Sequence, residues 1–360
     1  MDNIKGTIFF RVNSSKSIGA GHLYRCLTLA GLLRKKGLDV KFISLNNEGN
    51  LNHLITNSNF ECLIINNSKL KKMLLGAPFE VMAEDLQLMD AELSFKKFNH
   101  SKPVLLVVDS YNLSYPWEKF FQSKVKNILV IDDLFNRKHY ADFLLNQNYK
   151  VKKNAYSGMI NKKCKLLLGS QYALLREEFN LLRKESLARR KDLSSYTSVL
   201  IMMGAMDNKD YSSKVIKELL NNFNQHFYFL VMLSSKAPFL SNIIRLFKNQ
   251  RINGKILVDS GDVAKFMLAA DFAIGGSGSS SWERCCMGLP SIQVLQEENQ
   301  NLVATNLYSD NCIKILRNYE QLSDLVRNIH DWGYEVSKNA SKVTDGLGAT
   351  RVIKEIFNDF

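Results

Sequence analysis

Short runs of β-favouring apolar residues recur along this chain, each followed by a helical or loop segment. In the first half, residues 6–12, 40–45, 62–65, 104–108 and 128–131 read as strands. Residues 104–108 and 128–131 are nearly continuous apolar runs, as strands buried on both faces should be. Residues 21–36 place Leu23, Leu27, Ala30 and Leu33 at helical spacing, and Gly37 provides a stop. In the second half, residues 198–203, 227–233, 255–258, 272–274 and 291–295 read as strands. Such alternation calls for parallel sheets with right-handed crossovers. No repeat with a period of 20–50 residues is present.

A chain of 360 residues is too long for one ordinary core. The expected division is an N-terminal α/β domain over 1–175, a charged linker helix over 176–195, a C-terminal α/β nucleotide-binding domain over 196–348 and a final helix over 349–360. The predicted fold class is α/β, with two Rossmann-like domains facing across a cleft. A ligand would bind there, at the carboxyl ends of the strands.

Composition narrows the function classes. Hydrophobic residues make up 46% and charged residues 23%, which is globular rather than disordered. No run reaches the roughly 18 apolar residues of a membrane span. The N-terminus leads through Met1-Asp2-Asn3-Ile4-Lys5 into the first strand at 6–12, with polarity returning at Arg11, rather than into a secretory signal, so the expectation is a cytoplasmic protein without membrane insertion. Six cysteines, with no Cys-x-x-Cys pair, point to reduced thiols and to no zinc site. The net charge is +13, with basic clusters at 34–36, 150–153 and 183–191. These are either solvated helix faces or an attraction for anionic partners; no nucleic-acid-binding pattern accompanies them.

Three constellations carry candidate chemistry. Ser17-Ile18-Gly19-Ala20-Gly21-His22 follows the first strand and opens the first helix. Gly19 and Gly21 allow a tight turn and close approach of a ligand. His22, just after the turn, is placed to face the cleft, and histidine titrates near working pH. Gly275-Gly276-Ser277-Gly278-Ser279-Ser280-Ser281-Trp282-Glu283 follows a strand and enters a helix. Exposed N–H groups and the hydroxyls of Ser279 and Ser280 suit phosphate, and Glu283 can accept from ribose hydroxyls. The third is the polar cluster Gln296 to Gln300, in which Asn299 and Gln300 can both donate and accept. Asp109 and Tyr111 sit at a strand end, where Asp109 is suited to orienting a helix start and Tyr111 to reaching the cleft. Asp132-Asp133 is either a ligand site or a like-charged pair with one structural member.

With these residues in view, the chain resembles the UDP-sugar hydrolases of pseudaminic acid biosynthesis, the PseG-type enzymes. The characteristic stretches are Ile18-Gly19-Ala20-Gly21-His22 with Arg25 and Leu27, Tyr172-Ala173-Leu174-Leu175-Arg176-Glu177-Glu178-Phe179, and Trp282-Glu283-Arg284-Cys285-Cys286. The resemblance implies a glycosyltransferase-B architecture similar to MurG. It also implies hydrolysis of UDP-2,4-diacetamido-2,4,6-trideoxy-β-L-altropyranose to free sugar and UDP. His22 then matches the catalytic histidine and Tyr111 the strand-end tyrosine. Arg176 matches a linker arginine, and Glu283 and Asn299 match the groups that hold the nucleotide. Gly204, Ser279, Ser280 and Gln300 join the nucleotide-binding set. No cofactor is implied, and the only partner expected is the UDP-sugar, bound by a monomer or weak oligomer. Two positions depart from the pattern: Asn13 stands where an aspartate is usual, and Ala205 follows Gly204 where Gly-Gly is usual.

Overall fold

The structure is a computed structural model that describes residues 6–15, 18–77, 79–99, 101–223, 227–296 and 301–357. It divides into two compact units, the second being Leu175–Leu347 and the first comprising the chain up to Leu174 together with the segment from Gly348 onward.

In the first unit, β1 (Thr7–Val12), β2 (Asp39–Leu45), β3 (Glu61–Ile65), β4 (Leu105–Asp109), β5 (Ile128–Ile131), β6 (Phe143–Asn146) and β7 (Lys165–Leu168) form one sheet. Its order is β3-β2-β1-β4-β5-β6-β7, and every pairing is parallel. Alternate residues of a strand enter different cores. Ile8, Phe10 and Val12 of β1, with Leu105 and Val107 of β4, pack in one cluster. Phe9, Leu106 and Val108 pack in another. The sheet is thus covered on both faces, which explains the uninterrupted apolar runs. The helix Gly21–Lys35 lies on the first face, burying Leu23, Cys26, Leu29, Ala30 and Leu33.

The second unit repeats the plan with β8 (Ser198–Met202), β9 (Tyr228–Leu233), β10 (Gly254–Val258), β11 (Phe272–Gly276), β12 (Ser291–Val294) and β13 (Lys314–Leu316). The order is β10-β9-β8-β11-β12-β13, again all parallel. In each sheet the strand order reverses once, between β1 and β4 and between β8 and β11. Those reversal points are where open α/β sheets bind ligands.

The division differs from the sequence expectation at two places. Residues 176–195, expected as a linker, hold the helix Glu177–Lys191, which belongs to the second unit and packs on the helices Val263–Ala269, Ser280–Cys286 and Ile329–Ala340. Its basic cluster is not a solvated face throughout. Arg183 donates to the carbonyls of Cys286 and Ser341, and Arg190 donates to those of Ala270 and Met267. Burial lowers the Arg190 pKa to about 10. The final helix, Gly348–Phe357, packs in the first unit through Ala349, Val352, Ile353 and Ile356. A Cβ at Gly348 would stand 2.2 Å from the Ala173 carbonyl oxygen, so only glycine admits this close return.

A buried polar cluster fixes the start of the first reversal point. Arg11 and Asp90 are both fully buried and form a two-pronged pair, with Nε–Oδ1 at 3.0 Å and Nη2–Oδ2 at 2.6 Å. Trp117 Nε1 also donates to Asp90, at 2.8 Å. The third prong of Arg11, Nη1, donates to Asn13 Oδ1 at 2.7 Å, and the Leu45 N–H donates to the same oxygen at 3.0 Å. Removing one member leaves an uncompensated buried charge, which costs about 3–5 kcal/mol. Asp90→Ala should therefore destabilise the protein by about that amount, read as a lower midpoint in urea unfolding; a midpoint like the wild type's would mean that Arg11 finds another counter-charge.

Candidate active site

The β1/β4 reversal point gathers residues distant in sequence. Val12 pairs with Asp109, so Asn13 and the turn 109–113 leave adjacent strand ends. Before the helix, Gly19 takes φ +79° and donates its N–H to the Ser15 carbonyl at 2.9 Å. Gly21 then opens the helix, and no side chain caps its start. This turn brings His22 onto the strand ends.

His22 and Asp109 are in direct contact, with Nδ1 2.5 Å from Asp109 Oδ1. Arg25 lies one turn further along the helix. Its Nε donates to Asp109 Oδ2 and its Nη2 to Oδ1, each at 2.6 Å. Burial would raise the Asp109 pKa, but Arg25 and then His22 overcome it and hold the carboxyl far below its usual range. An ionised carboxylate only accepts, so the His22 Nδ1 in contact with it carries the hydrogen, and Nε2 is left as the basic nitrogen. Asp109, expected to orient a helix start, holds an imidazole and a guanidinium in the first turns of that helix.

The chain of contacts continues to Tyr111. Arg25 Nη1 donates to Asp133 Oδ2 at 3.0 Å, and the Tyr111 hydroxyl donates to Asp133 Oδ1 at 2.6 Å. The Tyr111 ring meets His22 edge-on, with centroids 4.6 Å apart. Burial first, and the Asp133 charge second, push the Tyr111 phenol far above its ordinary value, so it stays neutral. His22, Tyr111, Asn13, Ile18 and the 109–112 turn line a small open pocket.

Asp132 and Asp133 separate into two roles. Asp133 belongs to the cavity cluster. Asp132 is fully buried beneath it, 2.8 Å from Arg137 Nη1 and 3.0 Å from the Tyr156 hydroxyl. Arg137 also donates to the carbonyls of Leu113 (3.0 Å) and Ser110 (3.3 Å), which fixes the turn carrying Tyr111. His139 lies under this support. Its Nδ1 is 2.7 Å from Glu118 Oε1, and its Nε2 is 3.8 Å from Asp132 Oδ1, an ion-pair distance beyond hydrogen-bond reach.

At the β8/β11 reversal point, Gly204 takes φ +86° just after β8 and Ala205 follows it, both exposed. A Cβ at Gly275 would stand 2.7 Å from the Met202 carbonyl oxygen and 2.9 Å from Arg284 Nη1, so the strand end requires glycine there. Arg284 is fully buried and donates to the Gly276 carbonyl (2.7 Å) and the Ser280 hydroxyl oxygen (3.0 Å). Burial lowers its pKa to about 10. Gln296 donates to the Met203 carbonyl at 3.1 Å and so ties the two loops together. Ser279 is exposed at the start of the helix Ser280–Cys286, and Ser280, while accepting from Arg284, keeps its own proton to donate.

Glu283 and Arg176 meet in this unit. Arg176 Nη2 is 3.8 Å from Glu283 Oε1 and 3.2 Å from Glu178, and its Nη1 donates to the Gly261 carbonyl at 3.1 Å. Burial pushes the Glu283 carboxyl up against the pull of Arg176. Asn299 and Gln300 lie outside the described residues.

No protein-family model matches the chain. It is 28% identical over 299 residues to the UDP-2,4-diacetamido-2,4,6-trideoxy-beta-L-altropyranose hydrolase of Campylobacter jejuni, covering 83% of this chain and 94% of that protein. This chain resembles PseG-type hydrolases over most of its length. Among solved structures, MurG of Acinetobacter baumannii superposes with a TM-score of 0.68 at 13% identity, over 99% of this chain and 100% of that one. TcCGT1 in complex with UDP gives 0.65 at 12% identity, with the same coverage. The fold is thus the two-domain α/β arrangement of these glycosyltransferase-B neighbours. Among the described residues no helix is long and apolar enough to cross a membrane.

Sequence reasoning passed over Arg25 as a site residue. Its spacing of three from His22, on the same helix face, was the available signal.

The support beneath the cavity has a pH dependence. Burial alone would lower the His139 pKa, but Glu118 and Asp132 raise it to about 9. A charged His139 therefore stabilises the folded first unit fully below pH ~6.5, the unfolded value, and this stabilisation is lost as the pH rises through about 9. Wild-type protein should lose on the order of 1–3 kcal/mol relative to His139→Gln between these limits, measured by urea unfolding across pH; parallel curves for the two proteins would remove His139 from the charged cluster.

Proposed function

We propose that the protein hydrolyses a UDP-linked diacetamido-trideoxy sugar to the free sugar and UDP, in pseudaminic acid or related nonulosonate biosynthesis. The observation that carries this reading is the His22–Asp109 contact at the strand ends of the first unit. It leaves Nε2 as a positioned base beside a cavity, and it stands in a chain similar to a named UDP-sugar hydrolase.

In the proposed reaction, His22 Nε2 takes a proton from water as the water oxygen bonds to the anomeric carbon. The bond from that carbon to the β-phosphate oxygen breaks, and its electron pair leaves with UDP. The imidazolium formed is held by ionised Asp109 through Nδ1–H, the role of the carboxylate in a hydrolase triad. General-base assistance of this kind is worth on the order of 10²–10⁴-fold. Tyr111, its proton directed to Asp133, keeps an acceptor lone pair to orient the water or a sugar hydroxyl.

The second unit takes the nucleotide in this reading. Glu283 accepts from the ribose hydroxyls. The loop 275–280 and Gly204 leave N–H groups for the diphosphate, with Ser279 and Ser280 donating to it. Arg176, Asn299 and Gln300 complete the set. The step uses no metal, so turnover should survive EDTA. A loss restored by magnesium or manganese would count against it.

A second reading, a glycosyltransferase using the same donor, is favoured by the superposition on MurG. Incubation with UDP-sugar and no acceptor separates the two: stoichiometric free sugar and UDP mark the hydrolase, and an intact donor marks the transferase.

His22→Asn keeps a polar side chain but removes the base. Turnover should fall by roughly 10²-fold or more with UDP affinity little changed, since the base acts in the transition state. Near-wild-type turnover by the folded variant would refute the assignment. Glu283→Ala should weaken UDP binding by about 1–3 kcal/mol in calorimetry, and unchanged affinity would remove Glu283 from the nucleotide site.

A further inference from the structure

Phe79 takes no part in the chemistry above, yet its position is built by the same turn. The residue is 51% exposed, and Val81, two residues on, is 41% exposed. Single exposed apolar residues are common and need no explanation. Phe79 differs in how its segment is held. Asn112, buried and next to Tyr111, donates from Nδ2 to the carbonyls of Ala77 (3.4 Å) and Glu80 (2.7 Å). The Asn112 carbonyl in turn accepts from the Met82 N–H at 3.0 Å. Arg137 pins the other side of this turn through the Ser110 and Leu113 carbonyls. The Phe79 ring is thereby set 6.1 Å from the Tyr111 ring, tilted by 54°, and Tyr111 meets His22 edge-on. A half-exposed aromatic ring is thus held two rings from the base.

Such a ring offers no hydrogen bond to phosphate or to a hydroxyl. It suits a methyl group or a C–H face that leaves water on binding. The sugar of the proposed substrate carries acyl methyl groups. We propose that Phe79 is a specificity residue that packs on an acyl methyl of an N-acylated sugar, so that an N-acetyl substituent is preferred to a smaller one. The inference rests on the reading that the first-unit cavity takes the sugar.

The experiment is a binding cycle by calorimetry on the His22→Asn background, which separates binding from turnover. Four combinations are measured: Phe79 or Phe79→Ala, each with the UDP-2,4-diacetamido sugar or its 2,4-diformamido analogue. With Phe79 in place, replacing acetyl by formyl should weaken binding roughly 10-fold; with Phe79→Ala the two ligands should bind within about twofold of each other. Phe79→Leu should recover most of the preference, and UDP alone should bind all variants equally. Equal preference for acetyl in Phe79 and Phe79→Ala proteins would overturn the proposal, as would a Phe79→Ala loss shared by UDP. Failure of either sugar nucleotide to bind would overturn it together with the proposed function. Binding with the predicted cycle but no hydrolysis by the wild type would overturn the hydrolase reading and leave Phe79 assigned.

Discussion

The first unit's site depends on the buried carboxylate of Asp109. A lone ionised carboxylate in the interior costs several kcal/mol, so one persists only where partners compensate it. Arg25 and His22 both do so here, and both come from the first turns of the helix Gly21–Lys35. The requirement of one charge therefore fixes how that helix stands on the end of β4. Arg25 passes the constraint on, since its remaining nitrogen holds Asp133, and Asp133 holds the Tyr111 hydroxyl. The His22 imidazole, the Tyr111 phenol and the helix start are positioned by a single sequence of opposite charges, carboxylate to guanidinium to carboxylate.

The two reversal points share a topology and differ in chemistry. The first is built from titratable side chains locked to one another. The second is built from backbone: Gly275 is admitted only without a Cβ, and Gly204 takes a left-handed conformation. The fully buried Arg284 donates to the Gly276 carbonyl and the Ser280 hydroxyl oxygen and so shapes the loop. The first arrangement suits proton transfer, and the second suits holding an anion with N–H groups.

How much could be read from the sequence follows from the range of each interaction. Strands β1 to β5 and β8 to β12 announce themselves by apolar runs, because both sheet faces are covered. Strands β6, β7 and β13 do not: Asn146, Lys165 and Lys314 break the apolar pattern at their ends. Local chemistry was equally legible, as with Gly19 ahead of His22. The partner of His22 was not, because it lies 87 residues away and only the β1–β4 register brings it close. The basic stretch 183–191 misled for the same reason. Arg183 and Arg190 are charged residues whose acceptors are backbone carbonyls, and no composition rule marks those.

Asn13 shows how a departure from a resembling pattern is absorbed. Its Oδ1 accepts from Arg11 and from the Leu45 N–H, a task that either an amide or a carboxylate oxygen performs. Arg11 is already neutralised by Asp90, with both side chains fully buried. An aspartate at 13 would place a second carboxylate on one guanidinium in a dry environment, and its desolvation would need further compensation. Asparagine keeps the acceptor and the shape without that charge. The pocket lining is then neutral at this position, and the negative charge beside His22 comes from Asp109 and Asp133, both tied to Arg25. The charges around His22 are thus set by the helix that carries it, which is why asparagine at the end of β1 is compatible with the His22–Asp109 contact.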